Sequence, residues 1–143
     1  MIKKILLTLS LLVSCGQLHA EQLKRFGDWE VHYMALSSTF ITPKVAKAYG
    51  IVRSRYSGLI NISVLNSEKT GKPAQAVNIN GVAKDLMGKP QTLQFKEIKE
   101  GDAIYYIAQF DYQNEEIYNF SIDISNGTNH NHKLTFSQKF YTD

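Results

Sequence analysis

Along most of this chain, apolar and polar residues take turns one at a time. Trp29, Val31, Tyr33 and Ala35 fall on one side of the stretch 29–35, with Glu30 and His32 on the other. In 59–65, Ile60, Ile62 and Val64 share a side, opposed by Asn61 and Ser63. A period of two is the mark of a half-buried strand. The same reading predicts strands over 77–83, 92–98, 103–112, 118–124 and 133–141. Their inward sides include Leu93 and Phe95, then Ile104, Tyr106, Ala108 and Phe110, then Leu134, Phe136 and Phe140. Gly81, inside one of these stretches, predicts a bulge or a close backbone approach. Polar breaks at 66–73, 87–90, 99–102 and 126–131 are expected turns, and 99–102 reads as a hairpin loop.

Only 42–50 has helical character. Thr42 can cap, Pro43 suits the first helical position and Gly50 suits a left-handed stop. So short a helix must lean on other structure, and Val45, Ala48 and Tyr49 are its expected inward side. Strand–helix–strand alternation is missing, which argues against a parallel α/β sheet. The expectation is therefore all-β: an immunoglobulin-like β-sandwich of about seven strands, with one short helix after the first strand. Abundant Tyr and Phe, eight and seven residues, agree with that, because aromatic side chains fill a pleated surface well.

The beginning of the chain follows other rules. Met1-Ile2-Lys3-Lys4 is basic and Ile5 to Val13 is apolar, too short to span a bilayer. Leu18-His19-Ala20 offers a small residue before a cut, so 1–20 reads as a secretory signal peptide and 21–143 as one domain beginning at Glu21. A second cut competes: Leu12-Val13-Ser14-Cys15 has the spacing of a bacterial lipoprotein box, which would place a lipid anchor on Cys15. No other apolar run is long enough to cross a membrane. Cys15 is the only cysteine, so no internal disulfide can form. Without Lys3 and Lys4, the 16 basic and 13 acidic residues become 14 and 13, a balance that does not point to nucleic acid.

The segments Arg25–Tyr33, Ala48–Ser54, Gly58–Val64 and Glu100–Tyr106 together resemble a family of small exported proteobacterial proteins, domain of unknown function 4426. The resemblance covers nearly all of 21–143. It implies a periplasmic or envelope location and an Ig-like β fold, and it implies no activity.

Candidate chemistry is sparse. The mature part has no cysteine, no Gly-x-Ser-x-Gly elbow and no phosphate-cradling glycine loop. Its acidic groups at 97–102 and 111–116 lie at expected turns, where carboxylates are usually solvated. The sequence implies no cofactor. His130 and His132 would share a face of an extended segment, a weak pair of metal ligands needing a third from elsewhere, for example His32.

Charge segregation says more. The stretch 31–67 holds Lys44, Lys47, Arg53 and Arg55 with no acidic residue, whereas 100–132 holds six acidic residues and no basic one. Two readings stand side by side. The two stretches neutralise each other, with Arg53 held by a carboxylate near Asp102. Alternatively, Lys44, Lys47, Tyr49, Arg53, Arg55 and Tyr56 form a presented basic-aromatic loop that meets a partner. That partner would be an envelope protein or an anionic envelope component. The expected role is thus a non-catalytic binding or accessory module. The alternatives are a small-ligand carrier or small enzyme with a site near the short helix, and periplasmic metal binding through His130 and His132.

Overall fold

The computed structural model describes residues 21–142; the expected signal peptide at 1–20, with Cys15 and Ala20, lies outside the described residues. In chain order the elements are β1 (Gln22–Phe26), β2 (Trp29–Ser37), a 3-10 turn (Ser38–Phe40), α1 (Pro43–Tyr49), β3 (Ser57–Asn66), β4 (Asn78–Lys84), β5 (Pro90–Leu93), β6 (Lys96–Glu100), β7 (Ala103–Asp111), β8 (Glu116–Ser125) and β9 (Asn131–Phe140). They form two antiparallel sheets, one ordered β1-β2-β3-β7-β6 and the other β5-β4-β8-β9. If β2 is taken as strand A, the first sheet carries A-B-E-D and the second C′-C-F-G. That is the immunoglobulin arrangement, with β1 added outside strand A.

The alternation in sequence becomes the core between the sheets. Val31, Ile60, Ile62 and Val64 from the first sheet and Ile122, Ile124, Phe120 and Leu134 from the second are almost fully buried. Each such side chain contributes roughly 1.5–3 kcal/mol. The aromatic residues cluster around Phe110, whose ring meets Phe120 and Phe140 edge-on at 5.1 and 5.0 Å. Gly58 faces Phe110 across the β3–β7 ladder. A Cβ there would come within 2.2 Å of the Phe110 ring, so the ring excludes any side chain at 58. Gly81 is the close approach its position predicted: an added Cβ would meet Ile122 and the Ser121 carbonyl at 2.9 Å.

Three expectations need correction. The stretch 22–26, for which the sequence predicted no strand, is one, so the described residues hold nine strands rather than about seven. As an edge strand it needs no apolar alternation, and only Phe26 packs against the core. The single strand expected over 92–98 is two strands in different sheets. The chain crosses between layers at Gln94-Phe95, and both Leu93 and Phe95 still reach the core. Finally, α1 turns Ala46 inward rather than Val45 and Ala48, which are exposed. The helix lies on the outer face of the larger sheet, where Ala46, Ile51 and Leu59 form a second core with Leu36, Tyr49 and Ile107. Only a small side chain fits where the helix backbone sits closest. The expected caps are present: Thr42 Oγ1 accepts from the Val45 N–H, and Gly50 stops the helix at φ 70°.

Candidate functional site

The strands run between two ends of the sandwich, and the polar chemistry collects at both. One end carries the turns at 27–28, 67–77, 101–102 and 126–130. The other carries α1 with its flanking loops, the turns at 85–89 and 112–115, and the last described residues.

At the first end, Gly27 takes φ 59° so that β1 can double back onto β2, with Phe26 opposite Trp29. This turn projects Asp28 toward the start of β9. The Asp28 carbonyl accepts from the N–H and hydroxyl of Ser67, which anchors the turn, and Asn66 Nδ2 donates to Asp28 Oδ2 at 3.4 Å. Asp28 Oδ1 lies 2.7 Å from His130 Nε2, and His130 Nδ1 lies 2.7 Å from His132 Nε2. An ionised Asp28 requires Nε2–H on His130. His130 Nδ1 and His132 Nε2 then share one hydrogen, on the side that the tautomers set. Aromatic faces hold both rings: Trp29 stacks on His130 at 3.9 Å and Phe26 on His132 at 4.6 Å. Burial, and secondarily the neighbouring His130, keep the His132 imidazole below its ordinary pKa.

His130 and His132 are thus together as the sequence predicted, but they are bonded to each other and to Asp28. His32 joins neither. It lies on the other face of β2, with Nε2 2.9 Å from Glu30 and Nδ1 3.6 Å from Glu21. Glu30 is buried and also receives Lys72 at 3.2 Å and Arg25 at 3.5 Å. The Lys72 hydrogen bond is the main reason its carboxyl stays below the usual range. Among the described residues, no group of three or more His, Cys, Asp or Glu is placed to hold a metal ion.

At the other end, the basic-aromatic stretch divides. Arg53 is not held by a carboxylate. Its Nε donates to the Ile41 carbonyl at 2.7 Å and Nη2 to the Thr39 carbonyl at 3.3 Å, so it closes the loop around α1. Ser38, fully buried, adds to this by exchanging hydrogen bonds with the Ser54 backbone. Tyr49 donates to Glu100 at 2.6 Å, which raises the phenol's pKa. Lys44 and Lys47 project from α1 into solvent. Arg55 lies over the Tyr56 ring at 5.1 Å. Among the described residues, no ion pair joins the basic stretch to the acidic one.

A cleft of about 380 Å³ lies beside α1. Its polar walls are engaged: the Gln109 amide bonds both backbone groups of Val52, and Lys96 donates to the Tyr49 carbonyl.

An open trough of about 930 Å³ lies at this end of the sandwich, with Tyr56 among its lining residues. Its floor is Tyr112 and Tyr118, both buried. Tyr118 donates to Glu116 and accepts from the Gln113 N–H, both at 3.1 Å. Burial raises the Tyr118 phenol's pKa, and the charges of Glu116 and Asp85 add to the shift. Asp85 Oδ1 accepts from the Met87 and Lys89 N–H groups, both at 2.9 Å, and closes the β4–β5 turn. That turn drives Leu86 and Met87 into solvent, 71% and 94% exposed. Asp85, Asp111 and Glu116 line the trough against one base, Lys89.

Sequence reasoning found Tyr56 but missed the trough, because its walls come from four separate segments. One signal was present: Leu86-Met87 is an apolar pair at the tip of a turn, where polar residues are the rule.

The fold and its two ends define an immunoglobulin-topology sandwich with one internally bonded end and one open end. The chain belongs to the family described as Domain of unknown function (DUF4426), whose model matches residues 23–143. It is similar to a DUF4426 family protein of Pseudomonas aeruginosa PAO1, known from a 2.09 Å crystal structure. The two are 36% identical with a TM-score of 0.75, over 86% of this chain and 96% of that one. It also resembles FetP of uropathogenic Escherichia coli strain F11, recombinantly expressed in the periplasm of E. coli BL21(DE3). There identity is 11% and the TM-score 0.57, over 85% of this chain and 94% of that one. A copper-bound variant of the same FetP matches at 12% identity and TM-score 0.57, over 85% and 95%. At such identity the likeness is one of fold. No curated protein matches the chain.

Proposed function

We propose that this chain is an exported, non-catalytic binding module of the bacterial envelope, and that it holds a partner protein at its open end. The observation that carries this reading is the trough, with Leu86, Met87 and Tyr56 standing exposed around it. Large apolar side chains kept in water beside a concave surface are the usual mark of an interaction site. Lys44, Lys47 and Arg55 flank the same end and widen the surface a partner can meet. Export rests on the leader at 1–20, released after Ala20 or converted to a lipid anchor at Cys15.

Site-specific photo-crosslinking in intact cells tests this. A photoreactive residue at Met87 is expected to give discrete adducts, and one at Thr128, on the opposite end, is expected to give none. Equal labelling at both positions, or no adduct at Met87, would overturn the proposal.

A further inference from the structure

We infer that the open end recognises a cationic peptide segment, with lysine or arginine side chains alternating with apolar ones. The inference rests on the docking role proposed for the trough and adds the chemistry of its occupant.

Asp85, Asp111 and Glu116 face the trough and are opposed there only by Lys89, while Glu115 extends the acidic wall into an adjoining hollow beside Leu86. Among the described residues, none of these carboxylates is in an ion pair. Asp85 accepts from backbone N–H groups and Glu116 from a phenol, so both carboxylates are held in position by neutral donors. An anionic ligand entering the trough would meet repulsion on three sides. A cation would find carboxylates already fixed in place by those bonds, so little ordering is needed on binding.

The apolar component comes from the rim. Met87 is flexible and polarisable, which suits a contact that adapts to its ligand, and Leu86 stands beside it. Tyr56 already carries a guanidinium on one ring face, that of Arg55. A small amine would satisfy the carboxylates and leave Leu86 and Met87 in water. A peptide whose alternate side chains are basic and apolar covers both at once.

The test uses fluorescein-labelled hexapeptides of alternating lysine and leucine, glutamate and leucine, or lysine and glycine, followed by fluorescence anisotropy with the mature protein. The lysine–leucine peptide is expected to bind best. Its binding should fall about tenfold or more in a variant carrying Asp85→Asn, Asp111→Asn and Glu116→Gln, and should weaken as salt screens the carboxylates. Asparagine at 85 keeps the oxygen that closes the turn, and an unchanged melting curve verifies the fold. Glu68→Gln with Asp102→Asn, on the other end, should leave binding unchanged. Equal binding of the glutamate–leucine peptide, equal loss in the control variant, or no binding of any peptide would overturn the inference. Adducts at Met87 in cells, obtained alongside such a result, would leave the docking role standing without this ligand.

Discussion

The two ends of the sandwich are made of similar materials and use them differently. Each gathers carboxylates and aromatic rings around tight turns. At the Gly27 end, every partner lies within the chain: Asp28 bonds His130, His130 bonds His132, and Trp29 and Phe26 cover the imidazoles. At the Tyr56 end, the floor tyrosines are bonded, but the carboxylates above them face water and the apolar tips stand clear. A buried polar group costs stability when its partner is removed, whereas an exposed one costs little. Chemically rich clusters can therefore serve architecture, and the end with unmet contacts is the better candidate for function.

The contrast can be broken by substitution. His130→Ala removes a buried imidazole, takes one partner from each of Asp28 and His132, and leaves a void against Trp29. The expected loss is about 2–4 kcal/mol in urea unfolding. A loss below about 0.5 kcal/mol would mean that the first end is not a structural brace.

Arg53→Ala comes next. Its guanidinium holds two carbonyls of the loop around α1, although it is exposed. The expected cost is about 1 kcal/mol, whereas Arg55→Ala should stay within about 0.5 kcal/mol. Equal effects would show that the two arginines are not divided between loop closure and surface.

Acid sharpens the comparison more gently. Burial holds the His132 imidazole below its ordinary value of 6.5. Above that value the neutral ring contributes its full stability. As pH falls, the unfolded chain takes up a proton that the folded chain resists, and the contribution is lost as pH passes through the folded value. The melting temperature should therefore drop as pH falls below about 6.5, with a shallower drop in His132→Gln. An unchanged slope in that variant would remove His132 as its source.

Much of the fold was legible because a two-sheet sandwich buries one face of each strand. Ile60, Ile62 and Val64 could be placed inward from their spacing alone. The capped helix was visible too, since Thr42, Pro43 and Gly50 act within one turn. Legibility failed where neighbours, not local pattern, decide. β1 has no apolar alternation of its own, and pairing with β2 alone makes it a strand. The break at Gln94-Phe95 could not be seen, since apolar residues on both sides serve one core from different sheets. The site was less legible still: His130 and His132 stood out as a pair, but Asp28 lies far away in sequence and nothing local ties it to them.

By itself, the sequence determined what a period of two and a few backbone-specific residues can encode: an all-β chain, its inward faces, one short helix and the turns around glycines. Tertiary structure alone decided which carboxylates meet imidazoles and which meet water, and where the apolar turn tip stands relative to the acidic walls. The physical reason is range. Steric and backbone preferences act over a few residues, whereas hydrogen bonds and charge pairs form between any groups that folding brings within a few ångströms.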